Sequence, residues 1–439
     1  RSTLFPYTTL FRSAYRSMPM RENLESLRNS DEELYASITN EEQRQKDGIE
    51  LIPSENYAFP EVLAALGSVF TNKYSEGYPG RRYYGGQENT DYIENLARER
   101  AKSLFKCDHA NVQPLSGSGM NQAVYLGLLN PGDTILAMDL SHGGHLTHGA
   151  PVSHMGKLFN FVRYVTDPSD GSFDFDQILK DAKECRPKLV LCGYTSYPRD
   201  IDYERFKAIA DEVGAISMTD ASHFGGLVAG EAMANPFDYG FDIVTTTTHK
   251  SLRGPRGGMI LCKEDYAAKI DKSVFPGLQG GPHMNAVAAL AVTLKLAALP
   301  DFKRYADKVL KNSKTLANVF IKSDTKLITG GTDNHMLVID TLKSYGIDGR
   351  MAEETLDKVN ITTNKQIIPD DPNPPLRPSG IRIGTPAATS RGMRESDMER
   401  LGAWIDQCLR APDDEACLQK VKKEVVDFCL QFPVPGLAS

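Results

Sequence analysis

Short apolar runs alternate with amphipathic stretches through the middle of this chain. The runs around Ile135, Phe161, Leu189, Met218, Val244 and Ile260 are each a few residues long and bounded by turn residues. They predict strands over 134–139, 158–165, 188–194, 215–219, 242–247 and 258–262. Between them, apolar positions recur at helical spacing over 120–129, 174–184 and 203–213. Upstream, Ile93, Leu96, Ala97, Ala101 and Leu104 form one stripe of a helix over 91–105. Ser30 or Asp31, followed by acidic residues, opens a polar helix over 31–47, and a shorter helix is predicted over 60–71. Apolar strands separated by helices predict a mostly parallel sheet covered on both faces, an α/β architecture. In such sheets ligands bind beyond the carboxyl ends of the strands.

The pattern changes after an apolar helix over 283–299, which Pro300 closes. A charged helix over 301–322, a strand over 335–340, a helix over 350–359 and a short strand over 381–383 follow. Helices over 394–409 and 413–430 end the chain, and the proline-rich stretch 369–378 reads as a loop. This predicts an N-terminal arm with helices over 18–72, a large domain over 73–299 and a smaller α/β domain over 300–439. Residues 3–13, T-L-F-P-Y-T-T-L-F-R-S, match the in-frame translation of a sequencing-adapter oligonucleotide. They lack the long apolar core and small-residue cleavage site of a signal peptide. Residues 1–17 are therefore expected to be foreign, with a native start at Met18 or Met20.

The 439 residues leave room for two or three structural units at about 150 residues each. A composition that is 41% hydrophobic and 24% charged is that of a packed globular chain. The net charge of −7, without a basic stripe, argues against nucleic acid as the main partner. No apolar run approaches the ~18 residues that a membrane span needs. The seven cysteines are odd in number and none has C-x-x-C spacing, which predicts reduced thiols and a cytoplasmic setting.

The chemistry concentrates at the strand end that carries Thr245-Thr246-Thr247-Thr248-His249-Lys250. Arg253 and Arg256 follow in a glycine-rich turn. Neighbouring cations and partial desolvation favour a neutral, nucleophilic amine, which suits Lys250 to Schiff-base chemistry with pyridoxal phosphate. That cofactor needs a carboxylate to keep its pyridinium nitrogen protonated, and Asp220 stands at the preceding strand end. Ser116-Gly117-Ser118-Gly119 precedes a predicted helix, where free N–H groups and the helix dipole suit a phosphate. Gly277-Leu278-Gln279-Gly280-Gly281 is a second possible cradle, or a tight loop. In His142-Gly143-Gly144-His145-Leu146-Thr147-His148 the glycines break the helical spacing that a zinc pair would use, so no metal is expected. An imidazole stacked on an aromatic cofactor fits that loop, as does a core histidine. The stretch from Tyr74 to Gly86 holds four tyrosines, Arg81, Arg82 and one carboxylate, Glu76. It reads as a binding loop, an oligomer interface, or both. Arg382 alternates with Ile381 and Ile383 on a short strand, so its guanidinium points away from them. It could hold an α-carboxylate bidentately or form a structural ion pair.

Taken together, Y-S-E-G-Y-P-G-R-R-Y-Y-G-G, H-G-G-H-L-T-H-G, T-T-T-T-H-K and S-G-I-R-I-G-T-P resemble the serine hydroxymethyltransferase family, over about residues 51–433. The resemblance implies an aspartate-aminotransferase-like fold and a homodimer or homotetramer with shared active sites. It implies reversible transfer of the serine hydroxymethyl carbon to tetrahydrofolate, giving glycine and 5,10-methylenetetrahydrofolate. By motif, Lys250 carries pyridoxal phosphate, Asp220 pairs with the pyridinium nitrogen and His145 stacks on the ring. Ser116, Gly117 and Ser118 hold the phosphate, with Tyr74 and Gly280 from a neighbouring subunit. Thr195 and His223 approach the phenolic oxygen. Ser54, Tyr84 and Arg382 contact the amino acid, Glu76 moves protons at the hydroxymethyl group, and His249 bears on reaction specificity. Tyr83, Leu140, Gly144, Leu146 and Gln366 correspond to folate contacts. Met120, Thr195, Ala221-Ser222 and Gln366 depart from the family's usual alanine, serine, methionine-alanine and asparagine. A folate-independent aldolase acting on β-hydroxy amino acids would share Lys250, Asp220 and Arg382; a silent homologue would not need them. The Glu76 and Tyr83 loop favours the folate reaction.

Overall fold

The computed structural model describes residues 20–437 except 168, so the segment expected to be foreign lies outside the described residues. Seven strands form the main sheet: β1 (His109–Asn111), β2 (Thr134–Met138), β3 (Asn160–Tyr164), β4 (Leu189–Gly193), β5 (Ile216–Asp220), β6 (Ile243–Thr247) and β7 (Gly258–Cys262). Their order is β1-β7-β6-β5-β4-β2-β3. Only β7 runs against the rest, paired antiparallel with β6 on one side and β1 on the other. The mostly parallel α/β sheet expected from the apolar runs is therefore present. Strand β1 is an addition. His-Ala-Asn makes no apolar run, because its polar side chains are satisfied beneath the sheet edge by Asp271, at 2.8 Å from both His109 and Asn111.

Alternate residues of each strand enter different cores, as a two-sided sheet requires. Leu136, Val190 and Val244 pack with the helices Glu88–Phe105, Phe175–Cys185, Tyr203–Val213 and Met284–Ala297. Ile135, Leu189, Leu191 and Met218 pack on the other face with Gly117–Leu128 and Glu264–Lys272. Pro300 does not merely close a helix. The apolar helix ends at Ala297, and Pro300 is the first residue of the next, Pro300–Lys322. At that position its missing N–H costs nothing.

A second core surrounds three antiparallel strands, β8 (Met336–Asp340), β9 (Asn364–Gln366) and β10 (Gly380–Gly384), in the order β8-β10-β9. Ile49 and Leu51 belong to this core, and Ile49–Glu50 pairs in parallel with Ile361–Thr362. Pro300–Lys322 joins the two: Phe302, Tyr305 and Val309 lie in the first core, Leu316 and Phe320 in the second. This arrangement sets Arg382, on the central strand β10, against the carboxyl ends of the main sheet.

Candidate active site

Lys250 lies just past the end of β6, in a turn that its neighbours hold closed. Thr248 N–H donates to the Gly257 carbonyl at 3.2 Å, Gly254 N–H to the Thr248 carbonyl at 2.8 Å, and Thr248 Oγ1 to the Pro255 carbonyl at 2.5 Å. The Lys250 carbonyl accepts from Asn56 Nδ2 at 3.1 Å, so the N-terminal segment that carries Ser54 also touches this turn. Burial pushes the Lys250 amine down to about 8; the Asp220 charge opposes that shift, and Arg382 and Arg256 add to it. That leaves roughly a tenth of the amine neutral at pH 7, far more than for an ordinary lysine, and the neutral form is the nucleophile. Burial, then Arg256 and Lys250, hold the adjacent His249 imidazole down to about 3, so it is neutral.

Asp220, the last residue of β5, is buried and accepts four hydrogen bonds. Asn121 Nδ2 and His148 Nε2 reach Oδ2 at 2.9 and 3.0 Å; Ser222 N and Oγ reach Oδ1 at 3.1 and 2.6 Å. Burial alone would raise its pKa, but the His148 and Ser222 hydrogen bonds and the His145 and His148 imidazoles hold it well below the carboxylate range. The carboxylate is fixed as an anion. Ser222, where the family usually has alanine, supplies the shortest of these bonds. Asn121 is itself held by Thr147 Oγ1 at 3.0 Å and by Thr245 Oγ1 at 2.8 Å. His145 Nδ1 accepts from Thr147 N–H at 3.2 Å, which leaves Nε2 to carry the proton. Burial and then His148 hold this ring down to about 4.

Arg382 is only 6% exposed. Its Nε donates to Asn364 Oδ1 at 3.2 Å and Nη1 to the Thr195 carbonyl. Both acceptors are neutral, and Arg382 has no ion pair among the described residues. The structural ion pair is therefore absent there. Burial lowers its pKa to about 10. A buried guanidinium without a counter-charge is a strong receptor for a ligand carboxylate. His223 is buried beside His335, with Lys250, Arg382 and His145 nearby.

Ser116 caps the helix Gly117–Leu128, its Oγ accepting from Gly119 N–H at 3.2 Å, and Ser118 is exposed in the first turn. A Cβ on Gly117 would lie 2.7 Å from Thr247 Cγ2, so only glycine lets this helix end approach the Lys250 strand. Met120 is fully buried, and a Cβ on Gly258 would meet its sulfur at 2.7 Å; the glycine makes room for this larger residue. In the 139–149 loop, Leu140 is half-buried and Leu146 is 49% exposed. Gly144 packs against the Met138 carbonyl, where a Cβ would lie 2.3 Å away. Gln366, on β9, donates to the Ile367 carbonyl at 2.9 Å.

The aromatic loop forms a second group. Tyr74 Oη donates to Glu76 Oε1 at 3.3 Å, and the Tyr74 and Tyr84 rings meet edge to face at 5.1 Å. Gly280 and Gly281 lie against Glu76 and Tyr74. Glu76, Tyr83, Phe275, Leu278 and Gly280 line a cleft of about 510 Å³. Neither Lys250, Asp220 nor Arg382 lines it. The structure thus brings Lys250, Asp220, His145, His223, Thr195 and Arg382 together, and gathers Tyr74, Glu76, Tyr83, Tyr84 and Gly280 elsewhere.

The family model for serine hydroxymethyltransferase matches residues 27–405. The chain belongs to the serine hydroxymethyltransferase family. It is 51% identical over 412 residues to the serine hydroxymethyltransferase of Desulfotalea psychrophila, a match covering 94% of this chain and 96% of that relative. The lysine-centred cluster also includes groups that sequence reasoning missed: Asn121, His148 as a donor to Asp220, His335 and Asn364. Asn121 is buried beside Met120, Ala123 and Val124 on the helix Gly117–Leu128, and an asparagine among such neighbours was the available signal.

Proposed function

We propose that the Lys250 cleft binds pyridoxal phosphate and serine, and that this chain moves the serine hydroxymethyl carbon reversibly to tetrahydrofolate. The observation that carries the reading is a lysine with a depressed pKa between an anchored carboxylate and a buried arginine that lacks a counter-charge. The donor set suits the cofactor. Asp220 offers an anion for a ring N–H. His223 Nε2 is buried without a partner. The helix end at Ser116, Gly117 and Ser118 offers N–H groups for a phosphate.

When bound, the cofactor's protonated ring supplies an electron sink for the charge left as the Cα–Cβ bond breaks. Lys250 would hold it covalently, and Asp220 would keep its ring nitrogen protonated. His145, a neutral imidazole, would pack beside the ring, and Thr195 and His223 would serve its phenolic oxygen. Arg382 takes the substrate carboxylate, with Ser54 and Tyr84 beside the amino acid, and His249 tunes the turn that carries Lys250. Glu76 moves the hydroxyl proton of the departing carbon. Tyr83, Leu140, Gly144, Leu146 and Gln366 flank the folate. Glu76, Tyr74 and Gly280 serve the Lys250 cleft of a second copy, in a homodimer or homotetramer. The exposure of Tyr74, Tyr83 and Tyr84 supports that arrangement, because an aromatic patch of this kind is ordinarily covered. Among the described residues no single helix is long and apolar enough to cross a membrane; a cytoplasmic setting remains part of this proposal.

The test is serine cleavage by the purified chain with and without tetrahydrofolate. Strong folate dependence is expected. Fast threonine cleavage with no folate acceleration of serine cleavage would instead identify an aldolase.

A further inference from the structure

His223 and His335 are a buried pair drawn from the two cores. His223 follows β5, and His335 immediately precedes β8. Their ring centroids are 5.6 Å apart, while His223 Nδ1 and His335 Nε2 are 3.4 Å apart. Rings stacked face to face would not separate those two distances so widely. With an interplanar angle of 24°, the rings meet nitrogen to nitrogen, edge on and nearly coplanar. One ring must therefore donate a proton along this line and the other accept it.

Which one donates depends on what the two outer nitrogens meet. His223 Nε2 and His335 Nδ1 are both buried without a partner. The backbone that carries each ring is held in place. The His223 carbonyl accepts from Ser251 Oγ at 2.9 Å, and the His335 carbonyl from Thr385 N–H at 3.1 Å. Asn334, beside His335, is tied to Tyr194 Oη and to the Tyr197 carbonyl at 3.0 and 2.9 Å. Burial and the neighbouring cations Lys250 and Arg382 keep both imidazoles neutral. If His223 donated, its Nε2 would be a bare lone pair and His335 Nδ1–H would be a buried donor with no acceptor. Orphaned buried N–H groups are the rarer and costlier defect. If His335 donates, the roles exchange: His335 Nδ1 is the unused acceptor, and His223 Nε2 is the buried N–H without a partner among the described residues. The two arrangements are equivalent until a ligand supplies an acceptor, and on the proposed reading that acceptor, the phenolic oxygen, lies at His223 Nε2.

We propose that His335 is a positioning residue: its Nε2–H donates to His223 Nδ1 and locks His223 as the Nε2–H tautomer, a hydrogen-bond donor aimed at an acidic ligand oxygen. The inference rests on the reading that His223 meets the phenolic oxygen of pyridoxal phosphate. It deepens that reading by assigning the proton and the residue that fixes it. A lone pair at that position would repel the oxygen; an N–H would hold it.

The test is nitrogen NMR of the full chain labelled at its nine histidines, with and without pyridoxal phosphate. His223→Asn assigns the His223 signals. Three proteins are compared: wild type, His335→Gln, whose amide can still donate, and His335→Phe, which cannot. Wild type and His335→Gln should show His223 protonated at Nε2 once pyridoxal phosphate is bound, and that nitrogen should shift when it binds. His335→Phe should show a tautomer mixture and bind the cofactor about tenfold more weakly, the scale of one lost hydrogen bond. A wild-type His223 protonated at Nδ1 with pyridoxal phosphate bound would overturn the proposal even if the phenylalanine variant failed to fold. So would a glutamine variant that behaved like the phenylalanine one. A locked Nε2–H that does not respond to pyridoxal phosphate would leave the His335 lock standing. It would remove His223 from the cofactor site instead.

Discussion

The Lys250 cleft and the Tyr74–Tyr84 loop are both held by several hydrogen bonds, but they spend their polar groups in opposite ways. In the cleft, Asp220 takes four donors from three elements of the same chain. The loop is pinned just as firmly from behind. Arg82, with 3% of its side chain exposed, donates to the Ser75 and Gly77 carbonyls at 2.8 and 2.9 Å and pairs with Asp91 and Glu94. Its front, however, is left open: Tyr83 is 73% exposed and Tyr74 55%. A loop whose backbone is fixed on both sides of Glu76 while its aromatic rings face outward is presenting them to something. One half of the proposed chemistry is complete within a chain, and the other half is built to be delivered.

The hardest way to break this comparison is Lys250→Ala. With the Schiff-base lysine removed, turnover should fall below detection. The visible absorption of bound pyridoxal phosphate should disappear from the purified protein. Persistence of that band, with borohydride trapping on another lysine, would misplace the centre. Glu76→Gln should cost about 10²-fold or more in folate-dependent serine turnover, the scale of a lost acid–base group, while leaving the cofactor band intact. Near-normal turnover would take Glu76 out of the reaction.

Mixing the two inactive variants sharpens the contrast further. If Glu76 serves the Lys250 cleft of a second copy, hybrids of Lys250→Ala and Glu76→Gln subunits contain one complete site. Random pairing should then restore roughly a quarter of wild-type activity. No recovery, in a mixture shown to contain hybrids, would mean that both residues work within one chain.

The smallest effect is a shift in pH. Capture of pyridoxal phosphate by the cofactor-free chain should be slow below about 8 and level off above it, because the neutral Lys250 amine appears as pH rises through its lowered pKa. Arg382→Leu removes a cation that helps to lower it, so the midpoint should move up, while the KM for serine rises and cofactor content is kept. An unchanged midpoint with an unchanged KM would relegate Arg382 to packing.

The parts of this design that were legible in sequence share a cause. Lys250 and Asp220 stand at strand ends, and strand ends are visible as the boundary between an apolar run and polar residues. The parallel sheet followed from the same runs. His148 and Asn121 act on Asp220 across 72 and 99 residues, and Asn364 holds Arg382 only because β9 lies beside β10. Such partners depend on topology and register, which no local pattern encodes. Strand β1 escaped because buried polar residues look like loop until their partner, here Asp271, is known. The reason for the Ser222 departure became visible only once its hydroxyl was seen on Asp220.

The helix Pro300–Lys322 has a consequence for how the molecule comes apart. It is 23 residues long, roughly 35 Å at the usual rise, and its apolar face is shared along its length between the two cores. Neither core can melt without stripping part of the same strut, so the two should lose structure in one cooperative transition. A cut between residues 299 and 300 would leave the first fragment without Phe302, Tyr305 and Val309 and leave those side chains bare on the second. The cleft that faces Arg382 toward Lys250 is thus held together by folding itself, before any ligand bridges it.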